Sequence, residues 1–168
     1  MAAEAPLTAD QRLVLQAIYD RFRADGVWPA FLTVDRPLRR ERAMDTGAVA
    51  QTIPESLLLR TRPGNLRPNP NDQLRLTILG IAACDGSQDD IDHFVRLLRW
   101  LAQLEVEFEP GPAGDETMPR VSSADVRRHL GISETDPGPL HRLYAMLQLD
   151  HWGLVLQRRA VMNRGVVA

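Results

Sequence analysis

The segment Leu57–Cys84 constrains the fold more than any other part of the chain. It contains two short runs in which apolar and polar side chains alternate, Leu57–Arg62 and Gln73–Ile78, and such alternation is typical of strands with one buried face. Three prolines and a Pro–Gly step lie between the two runs, and these residues exclude a helix there. The sequence therefore predicts an antiparallel β-hairpin with a long tip.

Helical patterns precede the hairpin. Thr8 and Gln11 have the spacing of a capping box, and Gly26 is suited to end the helix that they begin. A second helix is predicted to hold Pro29 in its first turn, and Pro37 should either kink this helix or delay its start.

A third, short helix is predicted immediately before the hairpin, over Thr46–Ile53. Asp45 or Thr46 would cap it, and Pro54 would stop it.

The longest helix is predicted after the hairpin, over Gln88–Phe108. Its first turn is acidic, which favours the positive end of the helix dipole. Two shorter helices should follow, one that begins at Ser122–Ser123 and ends at Gly131, and one that opens at Asp136–Pro137. The expected organisation is a domain over 6–108, a linker over 109–120, a small helical subdomain over 121–157 and a tail over 158–168.

Composition bounds the compartment and the class of protein. The single cysteine, Cys84, excludes an internal disulfide and fits a reducing cytosol. The first residues lack the pattern of a secretory signal, and no apolar run approaches the roughly 20 residues of a membrane span. We expect a cytoplasmic protein with no membrane partner.

Charge is distributed unevenly along the chain. Residues 36–67 contain seven arginines and three acids, a local balance of +4, although the whole chain carries −2. Every basic residue is arginine, whose planar guanidinium binds phosphate and guanine through two parallel hydrogen bonds. A basic surface of this kind attracts nucleic acid, but it is also compatible with solvated helix faces that pair with the acidic helix.

The order of helix, helix, short helix, hairpin and long helix resembles a winged helix-turn-helix domain. The segment Leu74–Gly80 is similar to the L-x-L-T-x-x-G pattern that follows the wing in MarR-like and PadR-like bacterial regulators. The resemblance implies a mainly α fold with a small antiparallel β-hairpin, a winged helix-turn-helix plus a second helical subdomain. It also implies a role in transcription regulation through double-stranded DNA.

The chain also resembles a helical module of actinobacterial proteins whose role is undefined. That likeness depends on Trp28–Phe31, a W-P-x-F step before the hairpin, and on Phe94–Leu101. It implies no activity.

In winged-helix proteins the third helix enters the major groove and the wing touches the flanking backbone. The resemblance therefore places Thr46, Gln51 and Thr52 on the reading helix and Arg60, Arg62, Arg67 and Asn69 on the wing, and the charge pattern adds Arg39, Arg40 and Arg42. The third helix carries no arginine, so we expect contacts to phosphates with weak or shape-based sequence preference.

Two further expectations concern partners. Winged-helix proteins often dimerise through the helix after the wing, and here that helix has an apolar stripe formed by Phe94, Leu98, Leu101, Leu104 and Phe108. We expect a homodimer. The alternative function is a non-catalytic adaptor for protein interaction or oligomerisation that uses the same fold without DNA and binds a protein partner.

Motifs for catalysis or metal binding are absent from the sequence. The four histidines are dispersed, and no Cys-x-x-Cys or phosphate-cradling glycine loop occurs. Asp89, Asp90 and Asp92 are better explained as an acidic first turn than as a carboxylate site. We expect no enzymatic activity, no cofactor and no metal.

Overall fold

The computed structural model of the chain describes residues 6–59, 67–107 and 121–147. These residues form seven helices and one small two-stranded antiparallel sheet, which confirms the expected mainly α composition with a β-hairpin. The elements are α1 (Ala9–Asp25), α2 (Phe31–Arg42), α3 (Thr46–Thr52), β1 (Leu58–Leu59), β2 (Arg75–Leu76), α4 (Ile78–Ala82), α5 (Gln88–Glu107), α6 (Ser123–Leu130) and α7 (Gly138–Leu147).

The chain divides into two compact units at the Gln88–Asp89 junction. The division predicted from the sequence, with its boundary at residue 108, differs from this one. The predicted linker over 109–120 and the segment from 148 onward lie outside the described residues, so their roles stay predictions. No helix in the described ranges combines the length and the apolar character needed to cross a bilayer.

Helix α1 has the termini that its sequence predicts. Thr8 and Gln11 form the reciprocal hydrogen bonds of a capping box, and Gly26 ends the helix in the left-handed conformation with a φ of 69°. The buried face of α1 comprises Val14, Leu15, Ile18, Tyr19 and Phe22. This helix therefore supplies a large part of the core of the first unit.

Helix α2 begins at Phe31, so its start is delayed, which was one of the two outcomes expected for this segment. Pro29 precedes the helix instead of occupying its first turn, and the N-cap residue is Ala30. The reason is that Pro29 and Ala30 pair with the hairpin: the Pro29 carbonyl accepts a hydrogen bond from the Leu74 N–H, and Ala30 bridges to Gln73. Pro37 lies inside α2, where it lacks an N–H for the helical hydrogen bond.

The antiparallel pairing of the two runs is confirmed in their described part. Leu58 faces Leu76 and Leu59 faces Arg75 in an antiparallel register. Leu58 and Leu76 are 2% and 0% exposed, so the apolar positions of both strands point into the core. Residues 60–62 lie outside the described ranges.

The second run ends as a helix, not as a strand. Ile78 was predicted to be the last residue of the strand, but it is the first residue of α4. The Thr77 hydroxyl accepts a hydrogen bond from the Gly80 N–H at 3.0 Å and so caps this helix. Local capping therefore overrides the alternating pattern at this position.

Gly80 is required because α4 lies directly against the backbone that precedes β1. A β-carbon added at Gly80 would collide with the Leu57 carbonyl group, which cannot move away as a side chain could. The Thr77 N–H donates to the same carbonyl at 3.0 Å, and the Thr77 hydroxyl donates to the Ser56 carbonyl. The threonine and the glycine of the L-x-L-T-x-x-G segment therefore have one shared structural role.

The second unit contains most of α5, together with α6 and α7. Ser122 and Asp125 form a capping box at the start of α6, and Gly131 ends that helix, as predicted. The buried Asp90 carboxylate of α5 accepts from Nε of Arg142 on α7 at 2.9 Å and 3.0 Å. A buried pair of this kind fixes the approach of the two helices, because separating it would leave a buried charge unpaired.

Replacing Gly80 with alanine should reduce the free energy of unfolding by about 1–3 kcal/mol or more, since overpacking against backbone is not relieved by a rotamer change. The control is Gly47→Ala, where the three heavy atoms nearest to the added β-carbon all belong to the Arg67 side chain, which can move aside at the cost of its exposed pair with Asp45. We expect this control to stay within about 1 kcal/mol of the wild type. Chemical denaturation measures both values, and equal effects would contradict the packing described for α4.

Candidate nucleic-acid interface

The base of the hairpin is fixed to the connection between α1 and α2. The Phe31 N–H donates to the Asp72 carbonyl at 2.8 Å, and the Leu32 N–H donates to the Pro70 carbonyl at 3.0 Å. These bonds satisfy N–H groups in the first turn of α2 that have no partner within the helix. The loop that leads into β2 is therefore held beside the N-terminus of α2.

Helix α2 carries a row of exposed arginines. Arg36, Arg39, Arg40 and Arg42 are all exposed, and three of them lie in the last turn, where positive charge stabilises the helix dipole. Arg39 pairs with Asp35 at 3.2 Å, and Arg40 pairs with Glu41 at 3.5 Å. Among the described residues, Arg36 and Arg42 have no ion-pair partner, so the surface keeps unpaired positive charge.

Thr46 does not lie on the protein surface, where a residue that contacts DNA bases must lie. Its relative exposure is 0%, and its hydroxyl has no hydrogen-bond partner within the described part of the chain. The assignment of Thr46 to DNA contact is therefore wrong. The physical reason is that the first turn of α3 faces the core, and Gly47 is buried there as well.

The rest of α3 presents a small polar surface. Gln51 is half-buried and Thr52 is exposed. The Thr52 hydroxyl donates to the Val49 carbonyl at 2.7 Å and accepts from Nε2 of Gln11 at 3.1 Å. Thr52 is therefore tied to its own helix and to α1, which limits what it can offer a base edge.

Arg67 lies over the N-terminus of α3. Its guanidinium donates to Oδ1 of Asp45 at 2.5 Å, and the same oxygen accepts from the Ala48 N–H at 3.1 Å. Both side chains are about half exposed, 50% for Arg67 and 52% for Asp45. A β-carbon on Gly47 would approach Nε of Arg67 to 2.5 Å, so the guanidinium rests on this glycine.

The environment of Asp45 favours its charged form. The hydrogen bond from the Ala48 N–H has the largest effect and lowers the pKa of Asp45 below 3.8. Burial has the next largest effect and raises this pKa, while the nearby Arg67 and Arg39 charges lower it. The N-cap carboxylate is therefore ionised at neutral pH.

The other residues assigned to the wing are only partly described. Asn69 is exposed, and its backbone N–H donates to Oδ2 of Asp72 at 2.8 Å. Arg60 and Arg62 lie outside the described residues, so their assignment stays a prediction.

The stripe on α5 divides into buried and accessible positions. Phe94 is 1% exposed, so its side chain is already covered. Leu98, Leu101 and Leu104 are half-buried, and Phe108 lies outside the described residues. Any interface on this helix would therefore depend on the three leucines.

The pairing of Arg67 with Asp45 is the feature that the sequence reasoning missed. Asp45 was recognised as a possible cap and counted among the three acids of the basic segment, but it was not paired with Arg67, from which it is separated by 22 residues. The one available signal was an unpaired acid beside a basic segment. Within the described ranges, no three His, Cys, Asp or Glu side chains come together as possible ligands of a metal ion.

No protein-family model, curated protein or solved structure matches this chain.

Because the folded-state pKa of Asp45 lies below its unfolded value, ionised Asp45 stabilises the fold above about pH 3.8, and this contribution is lost as the pH falls through the folded-state pKa. The difference in unfolding free energy between wild type and Asp45→Asn should therefore shrink below that pH. Chemical denaturation at a series of pH values measures it.

Asp125→Asn provides a comparison in the second unit. Hydrogen bonds with Ser122 lower the pKa of Asp125. The contribution of ionised Asp125 to the free energy of unfolding should therefore also be lost as the pH falls through its folded-state pKa. A difference for Asp45→Asn that is constant across the acidic range would contradict the described environment of Asp45.

Proposed function

We propose that this protein is a non-catalytic, DNA-binding regulatory protein of the winged-helix type. The observation that carries the proposal is the exposed arginine row of α2, Arg36, Arg39, Arg40 and Arg42, in the unit that also contains the hairpin. Clustered exposed arginines bind the phosphates of duplex DNA and release counterions.

The order of elements supports a winged-helix arrangement. Three helices precede a hairpin whose base is hydrogen-bonded to the connection between α1 and α2. In this arrangement the segment between β1 and β2 is the wing, and Arg67 belongs to it. The wing and the arginine row then contribute to one basic surface.

The proposed mode of binding depends on phosphates more than on bases. Arginine–guanine pairs are the commonest specific contacts in the major groove, and α3 has no arginine. Thr46 and Gly47, the first two residues of α3, are buried, which leaves Gln51 as the principal candidate of this helix for reading a base edge. Sequence preference should therefore be weak or depend on the shape of the duplex.

A second candidate function is an oligomerisation or protein-interaction adaptor without DNA. The observation that favours it is the set of half-buried leucines on α5, Leu98, Leu101 and Leu104. The local pairing of Arg39 and Arg40 with neighbouring acids also reduces the charge that phosphates would meet. A homodimer fits either function.

Fluorescence titration with duplex DNA at several salt concentrations tests the DNA-binding function. Arg42→Gln should weaken binding by similar factors on unrelated duplexes and reduce the slope of log K against log salt by about 0.9, the value for one phosphate contact. The matched control is Arg99→Gln, which removes an equal charge from an exposed position on α5.

The proposed surface is contradicted if the affinity of the wild type for duplex DNA does not fall as salt is raised. It is also contradicted if Arg42→Gln and Arg99→Gln weaken this affinity equally. If the wild type does not bind duplex DNA even at low salt, DNA binding is excluded and the adaptor function takes its place.

If α5 forms a dimer interface, sedimentation at micromolar concentration should report a dimer for the wild type. Leu101→Glu should shift the equilibrium toward monomer, because it places a charge within an apolar contact. Gln103→Glu, which introduces the same side chain at an exposed position of the same helix, should leave the dimer intact. A monomeric wild type would exclude this interface, and circular dichroism checks that both variants fold.

A further inference from the structure

The ion pair between Arg67 and Asp45 joins the hairpin loop to the N-cap of α3. Arg67 donates to Oδ1 of Asp45 at 2.5 Å while its side chain rests over Gly47. Gly47 is itself buried, so the guanidinium has little freedom to approach the helix more closely. The arginine is held in place by one charged partner and one steric contact.

Both members of the pair are accessible from outside the protein. Arg67 is 50% exposed and Asp45 is 52% exposed, so a phosphate oxygen can reach the same guanidinium. A guanidinium binds a carboxylate and a phosphate through the same N–H groups. Asp45 and a DNA phosphate are therefore alternative acceptors for Arg67.

We propose that Asp45 is an intramolecular competitor of DNA: its carboxylate holds Arg67 over α3, and DNA binding exchanges this carboxylate for a phosphate. This inference depends on the DNA-binding function proposed above and assigns a regulatory role to a residue of the same surface. The exchange reduces affinity, because the pair must separate before Arg67 contributes fully to binding.

The Arg67–Asp45 pair differs from the two ion pairs on α2. Arg39 pairs with Asp35 four residues earlier on the same helix, at 3.2 Å. Arg40 pairs with the adjacent Glu41 at 3.5 Å, and these two side chains are 81% and 61% exposed. The exposed Arg40–Glu41 pair is weak, and Arg39 is held by a carboxylate whose side chain is only 7% exposed. The half-exposed Arg67–Asp45 pair, in contrast, links two separate elements of the first unit.

The decisive variant is Asp45→Asn. Asparagine caps helices about as well as aspartate, so α3 keeps its N-cap while the competing charge is removed. The control Glu41→Gln removes the same charge from the same basic segment and releases Arg40 from its exposed pair instead of Arg67, so it measures the gain in affinity that loss of any exposed local pair brings. A second capping variant, Asp45→Ser, repeats the experiment if the asparagine protein does not fold.

Affinity for one duplex should rise about twofold to fivefold in Asp45→Asn relative to Glu41→Gln, the range expected when an exposed ion pair no longer competes. The slope of log K against log salt should increase by up to about 0.9, since one more arginine contacts phosphate. When Arg67 is replaced by glutamine, Asp45→Asn should raise the affinity for duplex DNA no more than Glu41→Gln does.

Three results overturn the inference: equal gains for Asp45→Asn and Glu41→Gln, weaker binding by folded Asp45→Asn, or a gain that persists when Arg67 is glutamine. Each of them leaves DNA binding by the wild type intact, so each rejects the competitor role alone. A wild type that does not bind DNA at low salt rejects the proposed function, and the competitor role with it.

Discussion

The hydrogen bonds of Thr77 hold the hairpin to the rest of the first unit. Its hydroxyl accepts from the Gly80 N–H and donates to the Ser56 carbonyl, while its N–H donates to the Leu57 carbonyl. A two-stranded hairpin is marginal in water unless it packs against other elements, and the described residues of this hairpin form two pairs in register. The junction at Thr77 and the bonds to the α1–α2 connection supply the missing stabilisation.

Fixing the hairpin at its base determines which charges meet on the surface. The loop that enters β2 is hydrogen-bonded to the first turn of α2 through the Asp72 and Pro70 carbonyls. The same loop brings Arg67 to the N-cap of α3. The wing arginine and the reading helix of the proposed winged-helix domain are therefore in contact through Asp45. The position of the Arg67 charge beside Asp45 therefore depends on the backbone hydrogen bonds that hold the loop against α2.

The sequence predicted the helices best where capping side chains define their ends. Thr8 with Gln11, Asp45, and Ser122 with Asp125 each begin a helix as expected, because a cap acts over three or four residues and is readable locally. The placement of Pro29 in the first turn of α2 and the strand end at Ile78 were wrong. In the first case pairing of Ala30 with Gln73 decided the outcome, and in the second the cap at Thr77 did.

The candidate site was less predictable than the fold because it depends on burial and on long-range pairing. Thr46 has a polar side chain at the start of a predicted reading helix, yet it is fully buried. Arg67 was expected to face DNA, yet it pairs with Asp45, which is distant in sequence. A single sequence carries the residue types but not the face that each one occupies, so the arginine row of α2 was identified whereas its acidic partners were not.

The same geometry explains why the proposed interface would bind DNA without reading it closely. The N-terminus of a helix attracts phosphate through free N–H groups, but at α3 the Asp45 carboxylate occupies the Ala48 N–H and places a negative charge there. Arg67 neutralises that charge and at the same time covers Gly47. At the N-terminus of α3, Asp45 and Arg67 are thus already paired with each other, whereas Arg36 and Arg42 on α2 have no ion-pair partner among the described residues. Contacts from α2 to phosphates carry no sequence information by themselves, so any preference has to arise from the shape of the duplex.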